Sequence, residues 1–424
     1  MAKREINTFR AFKSRNYTLY FMGQGTSLIG TWMQRTAVSW VVYTMTHSAF
    51  MLGLTVFASQ FPSFVFSLFG GVVSDRYNRY KVILGTQFIS MVQAILMAVL
   101  ILSNHYEVWE ILTLSTVLGI INAFDMPARQ PLVHELIKDK DDLSNALALN
   151  SSMVNLARLA GPELSGIVLE KFGAGTCFVI NAVSFVAVIT SLLLIKLPPY
   201  KVTHIKKKVT AELVEGFTYL KRNPSIGMVM LMLTFISLLV LPYNTLLPVF
   251  AKVIFKGNAA TFGYINSFIG LGAITGSFFL ASLKPGANLK MILLINTLIL
   301  GVGLIVFSHI SYFPLAMLFA VVSGFGTMSQ GTICNTLIQT NTEAHMRGRV
   351  MSIVAMSLFG MLPIGSLLIG AISQQIGAPN AILSQGVIAL IIALLFSKFL
   401  RKETLNKKEH EEMKEEEDVV IEKI

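Results

Sequence analysis

The chain has 424 residues; 54% are apolar, only 13% are charged, and the mean hydropathy is +0.65. Soluble domains carry roughly 25% charged residues, so the composition argues against a cytosolic enzyme, a disordered chain or a nucleic-acid-binding domain. The net charge of +11 matters through its placement, and the two cysteines, Cys177 and Cys334, lie far apart in apolar runs that suggest neither a disulfide framework nor a cysteine-based zinc site.

A helix needs about 20 apolar residues to cross a bilayer. Twelve such runs follow in chain order, at roughly 17–43, 50–74, 81–102, 109–128, 144–169, 175–196, 224–250, 260–283, 289–308, 313–336, 348–372 and 378–400. None shows the ten-residue alternation of a membrane barrel. The first run is too long for a cleavable signal peptide. The expected fold is therefore an all-α membrane protein with twelve transmembrane helices in two pseudo-symmetric six-helix bundles.

Lysines and arginines set the orientation. With the N-terminus inside, 29 of the 34 fall in inside segments and only Lys171, Lys252 and Lys256 in outside loops. Both termini are expected in the cytoplasm. The longest inside connection, 197–222, contains Lys206, Lys207 and Lys208 and separates an N-terminal bundle (1–196) from a C-terminal one (223–400). Residues 401–424 form a charged tail, read as a solvated helix or a disordered segment.

The halves echo each other at an offset of 204: Gly161, Gly166, Gly173, Ala174 and Val183 match Gly365, Gly370, Gly377, Ala378 and Val387. Two parallel six-helix repeats place a substrate site between the halves near mid-membrane.

The loop after the second span reads Gly71-Val-Val-Ser-Asp75-Arg76-Tyr-Asn-Arg79-Tyr-Lys81. Asp75 can cap the next helix or pair with a base on a neighbouring helix end, and Gly71 would let another helix approach closely. The loop resembles the signature loop of the major facilitator superfamily, with Asn78 where glycine is usual and Tyr80 where a base is usual. That resemblance implies a charge latch for the outward-open state, with Arg129 as the partner of Asp75. Arg76 and Arg79 either join the latch or merely anchor the inside end. The corresponding second-half loop keeps Gly276 but lacks the acid, so the latch would be asymmetric.

The fifth span carries Gly161-Pro162-Glu163-Leu164-Ser165-Gly166, with Arg158 just before it. This is similar to the Gly-Pro-x-x-Gly-Gly motif of superfamily exporters, with Ser165 in place of one glycine, and it implies an antiporter. A finer resemblance spans most of the chain: Gly30 to Trp40, Asp125 to Gln130, Asn145 to Gly166, Glu215 to Leu220, Leu246 to Phe250 and Arg347-Gly-Arg349. Together they resemble the transmembrane secretion effector branch, grouped with drug:proton antiporters and including siderophore and macrolide exporters. The implied activity is efflux of small amphipathic molecules from a bacterial cytoplasm, driven by proton motive force, through the cytoplasmic membrane.

Polar stripes at helical spacing need no family argument. Gln24, Ser27, Thr31 and Arg35 share the first span with Gln34; Ser115, Asn122, Asp125 and Arg129 lie in the fourth; Asn244 lies in the seventh; Ser323, Thr327, Gln330 and Cys334 lie in the tenth. Such residues face protein or a wet cavity rather than lipid. Cavity lining and inter-helix hydrogen bonding both remain open for each.

A charge at mid-membrane costs at least about 2.5–3.5 kcal/mol on insertion scales, so Arg35, Asp125, Arg158 and Glu163 each call for a partner or a task. A proton carrier needs a carboxylate raised by burial. Glu163 is the strongest candidate by depth, Asp125 more naturally orders its helix end with Arg129, and Arg35 would be the ion-pair partner if Glu163 is structural. No acid occurs in the last six spans.

The sequence lacks a phosphate-binding Gly-x-x-x-x-Gly-Lys-Ser/Thr loop and a His-Glu-x-x-His motif. No enzyme activity, cofactor or metal is expected. The expected partners are a small-molecule substrate, protons and membrane lipid, without nucleic acid, for a monomeric protein. Lipid movement between leaflets and a non-transporting scaffold or receptor are the competing readings.

Overall fold

The computed structural model describes residues 9–137, 140–196, 209–284 and 286–421; these are helical apart from short connections, with no strand among them. The first six long helices are α1 (Arg15–Thr46), α2 (Ala49–Arg76), α3 (Arg79–Leu102), α4 (Val108–Leu136), α5 (Lys140–Phe172) and α6 (Ala174–Leu194). α7 (Val209–Arg222) lies within the expected linker. α8 (Pro224–Leu239) continues through a 3-10 turn (Leu241–Leu246), one α turn (Leu247–Val249) and a π turn (Phe250–Ile254). α9 (Ala259–Ala281), α10 (Leu289–His309), α11 (Phe313–Asn341), α12 (Arg347–Ile376) and α13 (Ala378–Ile421) follow.

Local chemistry explains the boundaries. The side chains of Ser14, Ser48, Asn78 and Asn288 each accept a hydrogen bond from the backbone N–H three residues later. Each bond satisfies a donor that a helix start leaves without an intrahelical partner. Beyond α8, Pro242 and Pro248 remove two backbone donors. The chain there changes to 3-10 and π geometry instead of continuing as one α-helix.

Ten helical stretches among the described residues are long and apolar enough to cross a bilayer. The two expected runs missing from that set lie in α1 and α5, which are 32 and 33 residues long. Their length suffices, and their polar stripes lower the hydropathy.

The repeat is visible in the backbone. Gly173, between α5 and α6, has φ +81°, and Gly377, between α12 and α13, has φ +82°. Both turns take a positive φ that glycine enters without steric cost.

The chain divides into two compact units. The first comprises 1–207, 245–267 and 366–374; the second comprises 208–244, 268–365 and 375–424. Within the first, α1 packs on α5 and α6, α2 on α4, and α3 lies against both α4 and α6. Within the second, α10 lies against both α11 and α13, repeating the arrangement of α3.

Candidate functional site

Asp125 is the hub of a polar network in the first unit. It is 7% exposed. Its Oδ1 accepts from Thr86 Oγ1 at 2.7 Å and from Gln87 Nε2 at 2.9 Å, both on α3. One turn further along α4, Arg129 forms an ion pair with it at 2.7 Å. Arg129 Nη1 also donates to Gln24 Oε1 of α1. Asp125 therefore ties α3 and α4 directly and α1 through Arg129. Lower on α3 and α4, Arg79 Nη1 meets Glu135 Oε1 at 3.1 Å.

The proposed Asp75–Arg129 contact lies outside the described side chains, because that of Asp75 is not among them. Arg76 is exposed. The expectation for Gly71 is corrected: a Cβ there would meet nothing within 4 Å. The close approach falls on Gly70, whose added Cβ would collide with the carbonyl of Ala123 in α4. One residue turns a helix by about 100°, so neighbouring glycines face different partners.

The α5 motif holds three helices together. A Cβ on Gly161 would strike Trp32 Cβ and stand 3.2 Å from the Ile29 carbonyl of α1. Ser165 Oγ donates to the Met33 carbonyl at 3.0 Å. On Gly166, a Cβ would stand 2.9 Å from Gly263 Cα in α9. Pro162 leaves the Arg158 carbonyl without its usual helical donor. Near the end of α5, Asn258 Nδ2 donates to Glu170 Oε1 at 2.6 Å. The repeat-related Gly370 packs on Gly53 of α2, with 3.2 Å between its built Cβ and Gly53 Cα. Beside it, Ser48 Oγ donates to Gln374 Oε1 at 3.1 Å.

Three intramembrane charges are arranged differently from Asp125. Glu163 is half-buried and has no hydrogen bond or ion pair among the described residues, Arg35 included. Arg35 and Arg158 are both exposed, and both guanidiniums lie over the Trp32 ring, at 5.0 and 5.4 Å from its centroid.

The polar stripes separate by burial. Gln34 is 2% exposed and bridges Gln93 of α3 at 3.1 Å and Asn181 of α6 at 2.7 Å. Those bonds account for its polarity without a ligand. Gln24 and Ser27 are also buried, whereas Thr31 and Asn122 are half-buried. In the second unit, Asn244 is exposed, and Thr327 meets Tyr243 Oη at 3.5 Å. Ser323 Oγ and Gln330 Oε1 are buried without a hydrogen-bond partner among the described residues.

Several polar positions and contacts of the fold stand outside the expected set. Ser151 and Asn155 are exposed on the same face of α5 as Arg158, at spacings of four and three residues that could have revealed the stripe. Glu135 was missed because α4 extends to Leu136, beyond the apolar run. The fold also joins two segments far apart in the chain: Arg349 Nη1 meets Glu215 Oε1 at 2.8 Å, and the Glu343 backbone N–H donates to Tyr219 Oη at 3.3 Å.

The sequence model of the transmembrane secretion effector family matches residues 6–423. The chain is 26% identical to the staphyloferrin A transporter of Staphylococcus aureus, over 91% of this chain and 96% of that one. It is 21% identical to macrolide efflux protein A of Streptococcus pyogenes, over 92% and 97%. It is 26% identical to the enterobactin exporter of Shigella flexneri, over 92% of each chain. Among solved structures, a POT family transporter in complex with 5-aminolevulinic acid superposes with a TM-score of 0.71 at 14% identity, covering 92% of this chain and 96% of that one. A bacterial homologue of the human lysosomal transporter Spinster, in an inward-facing conformation, superposes at 0.68 with 15% identity, over 92% and 98%. The chain is a multi-pass membrane transporter, not an enzyme, and belongs to the transmembrane secretion effector family of the major facilitator superfamily.

Proposed function

We propose that the protein exports small amphipathic molecules from the bacterial cytoplasm in exchange for protons, as a monomer in the cytoplasmic membrane with both termini inside. The named activities of its relatives support the direction of transport and the class of cargo. The observation that carries proton coupling is the contrast between two carboxylates. Asp125 accepts hydrogen bonds from three side chains and is paired with Arg129. Glu163 sits half-buried in α5 without a hydrogen-bond or ion-pair partner among the described residues, so of the two it is the carboxylate not committed to holding helices together.

The cycle is alternating access between two states. Protonation of Glu163 shifts their balance. Asp75, Arg76 and Arg79, with Arg129, latch one of them, and the Asp125–Arg129–Gln24 network holds the ends of α1, α3 and α4 while they move. Thr31, Asn122, Asn244 and Thr327 are the expected cavity residues with the most accessible positions, and Ser323 and Gln330 contribute buried polar atoms.

The test is accumulation of a macrolide and of enterobactin in inverted membrane vesicles under an imposed acid-inside gradient. Accumulation of either that collapses with a protonophore supports the reading. Gradient-independent lipid scrambling by the purified protein, without accumulation of either compound, would replace it with the lipid reading.

A further inference from the structure

We propose that Arg35, Trp32 and Arg158 form a binding site for an organic anion carrying at least two carboxylates, so that the exported molecule is acidic. The inference deepens the export reading above and rests on it for the direction of movement.

Both arginines lie deep in long helices. Arg35 stands about 17 Å along α1 from its C-terminal end, and Arg158 about 21 Å along α5 from its own, at 1.5 Å per residue. A cation at that depth facing hydrocarbon is costly, and Lys or Arg near a helix end can escape by reaching the interface. Neither residue is near an end, yet both side chains are exposed. Among the described residues neither has a carboxylate or a hydrogen-bond acceptor at its guanidinium, and Glu163 pairs with neither.

Instead, both cations converge on one indole, at 5.0 and 5.4 Å from its centroid. A ring face attracts each cation modestly and neutralises none of the charge. Two like charges sharing one platform repel each other, and a dianion is the ligand that relieves the repulsion while filling two guanidinium forks. Arginine is suited to this because its planar donors match a carboxylate bidentately. Trp32 supplies an apolar face for a flat part of the ligand. Ser151 and Asn155 continue the exposed face of α5 from Arg158 and add neutral hydrogen-bonding groups. The arrangement thus joins two charge sites, one aromatic platform and a polar flank.

Equilibrium binding tests this without a proton gradient, so it fails independently of the export reading. The full chain, in phosphatidylcholine nanodiscs, carries Trp40→Phe and Trp109→Phe, which leaves Trp32 as the sole tryptophan of the three. Isophthalate, a flat ring with two carboxylates, is titrated to tens of millimolar at constant ionic strength. Dimethyl isophthalate and m-xylylenediamine serve as its neutral and cationic counterparts. The expected result is a saturable change of Trp32 fluorescence with isophthalate alone. Arg35→Gln and Arg158→Gln should each weaken binding at least tenfold, and Arg35→Lys should fall between, with monodisperse elution confirming that each variant is folded. An absent response to isophthalate, an equal response to the diester, or unchanged binding in both glutamine variants would overturn the proposal. A response only when phosphatidylglycerol replaces phosphatidylcholine would also overturn it, by assigning the pair to a lipid phosphate.

Discussion

Gly166 of α5 and Gly263 of α9 meet backbone to backbone: a Cβ built on Gly166 would stand 2.9 Å from Gly263 Cα. Inserting a side chain there forces the helices apart, and overpacking costs typically about 1–3 kcal/mol. Gly166→Leu should therefore disfavour the arrangement in which Glu170 and Asn258 touch at 2.6 Å. In a Glu170→Cys/Asn258→Cys pair, oxidative cross-linking should be efficient in the parent and several-fold weaker with Gly166→Leu added.

Asp125→Asn removes the partner of a largely buried guanidinium. Breaking a buried pair by deleting one member costs about 3–5 kcal/mol, since the other charge stays behind. Thermal unfolding should drop clearly for Asp125→Asn and recover in part in Asp125→Asn/Arg129→Gln. Equal stability of the single variant and the parent would show that Thr86, Gln87 and Gln24 carry the network without the charge.

The Glu215–Arg349 pair should behave differently. The Glu215 side chain is 55% exposed, and exposed pairs contribute about 0–1 kcal/mol. Arg349→Ala should barely change global unfolding. It should loosen α7 locally, so tryptic cleavage after Lys221 and Arg222 should quicken several-fold.

The two positive-φ turns give a matched pair of tests. A non-glycine residue held at such a φ costs about 1–3 kcal/mol. Gly173→Ala and Gly377→Ala, at φ +81° and +82°, should each lower stability by similar amounts, as measured by thermal unfolding. A cost at one site only would argue against equivalent roles for the repeat-related turns.

Much of this was legible in the sequence for definite physical reasons. The apolar runs are set by bilayer thickness, so the helices are readable from composition. The offset that pairs Gly173 with Gly377 predicts a shared backbone conformation, because only glycine enters it cheaply. Asp125 and Arg129 are one helical turn apart, and their pairing follows from spacing alone. Contacts between distant segments were not legible. Nothing in a linear pattern places Glu215 beside Arg349 or tells Gly70 from Gly71. Burial also divides residues of one stripe: Gln34 is consumed by Gln93 and Asn181, while Arg35, one position later, is exposed.

Proton coupling through Glu163 is the claim on which the transport account turns. The direct measurement is substrate accumulation in inverted vesicles under an acid-inside gradient, comparing the parent with Glu163→Gln at equal membrane content. The account predicts that Glu163→Gln abolishes gradient-driven accumulation while it binds substrate and unfolds at a temperature close to that of the parent. Accumulation at the parental rate by Glu163→Gln would contradict it.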